Sequence, residues 1–298
     1  MNPIEIENLT KYYGKRVGIE GLNLRVSAGS VYGFLGPNGA GKTTTIRVLL
    51  GLLRASGGRA RVLGRDCWKE SPRIKAEVGY LPGDLRLYPW MTGRSGLRLL
   101  GGIRRRDLKE PGGRLLERFG LPADVRVRDM SRGMRQKLGL ILCLAHDPLL
   151  LILDEPTSSL DPLVQQSLFA ELRERAARGN TVFFSSHNLA EVEELCDRVA
   201  ILRGGKLVVE ESVRELRERA GREIVIRWPA EIDGTQIAVP DFLEVRERES
   251  NVWRCGLNGA MRLLIGWAAE QPVADMSIGP PELDQMFARY YQRSDGTS

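Results

Sequence analysis

The eight residues Gly36–Thr43, GPNGAGKT, constrain this chain more than any other stretch. Gly36, Gly39 and Gly41 let the backbone wrap closely, so that successive N–H groups point at one anion. An apolar run read as a strand, Ser30–Leu35, precedes them. A stretch read as a helix, from about Lys42 to about Leu50, follows. A glycine-rich loop between a strand and a helix matches G-x-x-x-x-G-K-[ST], in which loop amides and the helix dipole hold phosphate. The phosphate-binding positions are then Gly36, Pro37, Asn38, Gly39, Ala40, Gly41, Lys42, Thr43 and the adjoining Thr44. In that pattern Lys42 reaches the β- and γ-phosphates of a nucleotide, and Thr43 ligates Mg²⁺. A chance glycine-rich turn is the competing reading, and eight matched positions in the right context outweigh it.

The rest of the first part alternates strand and helix patterns, which implies an α/β domain with a largely parallel sheet. Leu149–Leu153 is five aliphatics in a row, read as a strand buried on both faces. Asp154 and Glu155 follow directly, at the end of the strand where such sheets bind ligands. Asp154 is read as a Mg²⁺ ligand acting through water, and Glu155 as the group that orients or deprotonates an attacking water. Since Pro156 comes next, the pair also reads as a simple strand-end turn; the glycine loop favours the ligand reading. A helix is expected from about Arg132 to before Pro148, and another near Pro162–Arg178. Thr181–Phe184 reads as a strand, Leu189–Leu195 as a helix, and Val199–Leu202 with Lys206–Val209 as a hairpin. Residues 86–120 look helical, with breaks expected at Gly93, Gly96, Gly101–Gly102 and Gly112–Gly113.

After about Gly221 the texture changes. Ile224, Ile226 and Trp228 alternate as in a strand. Met261, Leu264, Ile265 and Ala268 form a helical stripe, and so do Leu283, Met286, Phe287, Tyr290 and Tyr291. The organisation expected is a nucleotide-binding domain over 1–221, with a helical subdomain at about 86–146, and a small α/β accessory domain over 222–298.

The chain has 298 residues and a net charge of +6, unevenly spread. Residues 86–137 carry 14 Lys and Arg against 5 Asp and Glu, a local net of +9 that leaves the remainder at −3. A solvated charged face is the favoured reading; anionic headgroups or nucleic acid are the alternatives. Cys67, Cys143, Cys196 and Cys255 stand alone, which argues against zinc and against a disulfide framework, and fits a reducing compartment. The N-terminal MNPIEIENLT does not read as a signal peptide. The longest uncharged apolar stretch, Leu138–Ala145, is far short of the ~20 residues of a spanning helix.

Asp129–Pro162, DMSRGMRQKLGLILCLAHDPLLLILDEPTSSLDP, resembles the signature helix, acidic strand and following loop of ABC transporter ATP-binding subunits, in unbroken order. With the glycine loop, the resemblance spans about residues 3–220. It implies a P-loop NTPase fold, binding and hydrolysis of ATP with Mg²⁺, and a homodimer that closes on two ATP molecules. It implies that Ser131 and Gly133 contact the γ-phosphate of ATP on the opposite subunit, and that Asp161 lies in the loop between the two sites. His187, in SSHN, matches the family's γ-phosphate histidine; from the residues alone a capping role is the better reading. Tyr13 matches the aromatic that stacks on adenine, with Val17 beside it. His146, at a helix end, is read as a favourable cation without a catalytic role.

The stretches GYLPGDLRLYPWMTGR and ELDQMFARYY are closest to ATPases of bacterial exporters for daunorubicin-like drugs and bacitracin-like peptides. The resemblance therefore implies a separately encoded transmembrane permease as partner, a place on the cytoplasmic face of the membrane, and no role for nucleic acid. A soluble ABC ATPase acting on nucleic acid, or a regulator with little turnover, is the alternative. Two positions depart from the family. Gly83 stands where a Gln is usual, so water or Asp84 must take over that ligand place. The signature reads MSRGM rather than LSGGQ, putting Arg132 and Met134 in place of Gly and Gln.

Overall fold

The computed structural model describes residues 2–220 and 222–279. The chain divides into two compact units, Met1–Val213 and Arg214–Ser298.

The first unit begins with a hairpin of β1 (Ile4–Tyr13) and β2 (Arg16–Val26), then β3 (Val31–Leu35) and α1 (Lys42–Leu49). Next come β4 (Gly57–Val62), β5 (Arg65–Asp66), α2 (Ser71–Glu77) and β6 (Val78–Leu81). Three helices follow, α3 (Gly93–Arg104), α4 (Lys109–Arg118) and α5 (Arg132–Leu144). The unit closes with β7 (Leu150–Asp154), α6 (Pro162–Ala177), β8 (Thr181–Ser186), α7 (Leu189–Leu195), β9 (Arg198–Arg203) and β10 (Lys206–Ser212).

Six strands form the central sheet in the order β10-β9-β3-β8-β7-β6. All pairings are parallel except that of the edge strand β10 with β9. Every residue of β3, β7 and β8 is buried, which is why Leu150–Leu153 of β7 reads as an unbroken apolar run. The order brings β3, β8 and β7 side by side, so their C-terminal ends form one edge. That edge is where an open parallel sheet binds its ligands.

A second sheet, β2-β1-β4-β5, is antiparallel and was not legible in the sequence. The β1–β2 register shifts between Ile6 and Leu9, around Asn8, whose φ is 52°. A bulge here breaks the period-2 signal of an otherwise alternating strand.

The glycines expected to break residues 86–120 lie inside α3 and α4 instead. Space explains Gly93, Gly96, Gly101 and Gly112, while a Cβ at Gly102 or Gly113 would meet no neighbour. A Cβ at Gly112 would lie 2.3 Å from Leu97 Cδ2, and one at Gly96 would lie 3.2 Å from Leu142 Cδ2. Close helix packing here outweighs the poor helix propensity of glycine. The break falls at Arg105, in the left-handed region with φ 54°. A capping box starts α3: Ser95 N donates to Thr92 Oγ1 at 3.1 Å, and Thr92 N donates to Ser95 Oγ at 2.8 Å.

His146 corrects another expectation. It is buried at the end of α5, and its pKa is pushed down to about 4, first by burial and then by the Arg104 charge. The ring is neutral at pH 7, so it adds no charge to the helix end.

The second unit holds α8 (Val213–Ala220), β11 (Glu223–Arg227), β12 (Leu243–Arg248), β13 (Val252–Leu257), α9 (Met261–Ala269) and β14 (Asp275–Gly279). Thus α8 groups mainly with this unit, whereas the sequence places it before the boundary at Gly221. Its antiparallel sheet runs β12-β13-β11-β14 over a core of Ile224, Ile226, Trp228, Trp253 and Leu264. On α9 the inward stripe uses Leu264 with Met261 and Trp267, while Ile265 is exposed. The stripe from Leu283 to Tyr291 lies outside the described residues.

Candidate functional site

A cleft of about 550 Å³ opens between the end of the β1–β2 hairpin and the N-terminus of α1. Tyr13, Arg16 and Val17 line one side; Pro37, Asn38, Gly39, Lys42, Thr43 and Thr44 line the other, and Glu155 closes an end. The loop owes its shape to Gly39 and Gly41, with φ of 82° and 107°. A Cβ at Gly41 would also meet Gly18 O at 2.7 Å. No side chain caps α1, so its first N–H groups remain available to an anion. Ala40 is buried and belongs to the hydrophobic core, so it serves the loop through its backbone.

Lys42 is nearly covered, at 5% exposure. Its Nζ donates to Gly36 O at 2.5 Å and to Pro37 O at 3.3 Å, and pairs with Glu155 Oε1 at 3.1 Å. The other oxygen of Glu155, Oε2, lies 2.6 Å from His187 Nδ1. One carboxylate therefore joins the lysine of the loop after β3 to the histidine after β8. Glu155 itself adopts a left-handed backbone, φ 52°, which a non-glycine residue holds only when its surroundings impose it.

Asp154 is buried at 1% exposure. Ser185 Oγ donates to its Oδ1 at 2.7 Å, while Oδ2 is buried without a hydrogen-bond partner. A buried charged oxygen left free is costly unless a ligand meets it. Such an oxygen suits a small divalent cation and its waters, and so does the hydroxyl of Thr43, which lines the cleft. Among the described residues no group of three or more His, Cys, Asp or Glu gathers as a metal cage, so any cation here relies on few protein ligands.

Tyr13 is 45% exposed, and its hydroxyl lies 3.3 Å from Thr44 Oγ1. Its ring lines the cleft, with Lys11 Nζ over it at 5.6 Å from the centroid. Ser131, Gly133 and Asp161 are not part of the cleft. Ser131 caps α5 by accepting from Met134 N at 3.2 Å, and Asp161 caps α6 by accepting from Val164 N at 3.0 Å. A Cβ at Gly133 would lie 2.8 Å from Ser159 O, so glycine permits that close approach. At Gly83 a Cβ would lie 3.4 Å from Asp154 Oδ2. Asp84 is exposed and paired with Arg86 at 2.9 Å.

Two residues escaped the sequence reading. Ser185 holds Asp154, and Gln136 Nε2 donates to Pro156 O at 3.0 Å, tying α5 to the loop after β7. The available signal for Ser185 was its place as the first residue of SSHN, a polar side chain within a fully buried strand.

Residues 19–158 match the family described as ABC transporter. An ABC transporter ATP-binding protein of Synechocystis is 33% identical over 97% of this chain and 84% of its own length. The daunorubicin resistance ATP-binding protein DrrA3 of Streptomyces coeruleorubidus is 32% identical over 95% of this chain and 94% of its own. A solved ATP-binding subunit of an ABC transporter superposes with TM-score 0.67 at 28% identity, covering 72% of this chain and 92% of that one. The site is that of a P-loop ATPase. The chain belongs to the ATP-binding proteins of ABC transporters.

Proposed function

We propose that this chain hydrolyses ATP to drive a separately encoded transmembrane permease that exports a drug, peptide or lipid-like cargo. The observation that carries this reading is the chain Lys42–Glu155–His187, poised beside Asp154 at the ends of three adjacent strands. Water attacks the γ-phosphorus in line as the bond to the β–γ bridging oxygen breaks and ADP departs, and the proton lost by the water is received by Glu155. His187 and Lys42 hold Glu155 and the phosphate oxygens in register, so the barrier falls through positioning and fixed charge. Tyr13, with Val17 beside it, stacks on the adenine. Mg²⁺, held by Thr43 and Asp154, would offset charge on the phosphate oxygens. Ser131 and Gly133 act across a homodimer, on the ATP held by the other copy, and Asp161 lies in the loop that runs between the two sites. No described helix is long and apolar enough to cross a membrane, so the permease supplies the spanning segments and holds the ATPase at the cytoplasmic face. Full-length likeness to a daunorubicin resistance protein supports export.

The test is steady-state hydrolysis by the purified chain. Turnover that requires Mg²⁺ and responds to membranes carrying the permease is expected. Stimulation by RNA, DNA or ribosomes instead would overturn the reading.

The Asp154 neighbourhood makes a separate prediction. Gly83→Gln is expected to be tolerated, with basal ATPase unchanged or raised, because its Cβ would make ordinary contact with Asp154 Oδ2. Asp84→Asn is expected to leave the Mg²⁺ requirement as it is, since that carboxylate is exposed and spent on Arg86. A several-fold higher Mg²⁺ requirement in Asp84→Asn would show that Asp84 fills the place of the missing Gln.

A further inference from the structure

We infer that Ser185 is the positioning residue that sets both acidic groups of the site, and that it fixes which Asp154 oxygen is offered to the cation. The inference rests on the reading of Asp154 as the cation's carboxylate. Ser185 is fully buried and pairs with Asp154 across the β7–β8 ladder. Its hydroxyl has two polar neighbours of opposite demand. The Glu155 N–H can only donate, and its nitrogen lies 3.2 Å from Ser185 Oγ. The serine proton must therefore go the other way, to Asp154 Oδ1 at 2.7 Å. One oxygen of Asp154 is engaged and Oδ2 is left free, so the carboxylate presents a single oxygen in a fixed direction.

The same hydroxyl helps to hold the backbone of Glu155. That N–H is shared between Ser185 Oγ and Ser185 O, both at 3.2 Å, and the residue keeps its left-handed φ of 52°. Gly83 sharpens the dependence. Its missing side chain leaves the space beside Oδ2 without a second protein ligand from that loop. The orientation of Asp154 then rests on Ser185.

The experiment is calorimetry of a non-hydrolysable ATP analogue, with and without Mg²⁺, on the full chain and on Ser185→Ala. The wild type is expected to bind the analogue more tightly with Mg²⁺. Ser185→Ala is expected to bind as the wild type does in EDTA, and about tenfold more weakly than the wild type in Mg²⁺, with a raised Mg²⁺ half-saturation. Ser185→Cys keeps a hydrogen-bonding group in place, with a bulkier atom and a weaker donor, and is expected to fall between the two; it carries the test if the alanine variant does not fold. Equal loss in EDTA and in Mg²⁺, together with a lower melting temperature, would mean a packing role and would overturn the inference. So would a cysteine variant indistinguishable from wild type in Mg²⁺. A wild type that binds equally with and without Mg²⁺ would instead remove the cation reading of Asp154 itself.

Discussion

Glu155→Gln is expected to lower kcat for ATP hydrolysis by about 10²–10⁴-fold while ATP still binds. The amide keeps the size of the side chain and its hydrogen-bonding reach, but it cannot take a proton from water. It also removes the charge that pairs with Lys42 at 3.1 Å. A lysine released from that pair is free for the γ-phosphate, so affinity for ATP is expected to hold or rise. Single-turnover hydrolysis and equilibrium binding, measured on the same preparation, separate the two effects. Wild-type turnover would remove Glu155 from its role. Lost binding with normal folding would make it a structural partner of Lys42.

Lys42→Ala is expected to act on binding itself. On the proposed reading Nζ is the charge offered to the phosphates; it donates to Gly36 O and Pro37 O. Hydrogen bonds to charged groups are worth about 1.5–3 kcal/mol, so ATP affinity is expected to fall roughly 10–100-fold by calorimetry. A second consequence comes from Glu155, whose carboxylate loses its cationic neighbour and is left with His187 alone. Unchanged affinity would contradict the assignment of Gly36–Thr43 as the phosphate loop.

What the sequence made legible depended on how local the chemistry is. The phosphate loop is eight consecutive residues, and its function follows from their backbone, so Gly36–Thr43 could be read directly. Asp154 and Glu155 were legible because a run of aliphatics, buried from Leu150 to Leu153, leads directly into them. Ser185 was not, because its role exists only through the register that sets it against Asp154. The glycines of α3 and α4 misled for a related reason. Gly112 is there for Leu97, a partner on another helix that no local rule can supply. His146 looked like a helix-end cation until its burial was known. The antiparallel sheet that carries Tyr13 was hidden by the irregularity around Asn8.

On the proposed reading one chain holds only part of each hydrolytic site, and two copies complete it on ATP. Light scattering on Glu155→Gln during size exclusion tests this most directly. With ATP and Mg²⁺ the account requires a species of twice the 33.3 kDa chain mass, reverting to a single chain when nucleotide is withdrawn. A protein that binds ATP and remains at 33.3 kDa across the accessible concentration range would contradict it.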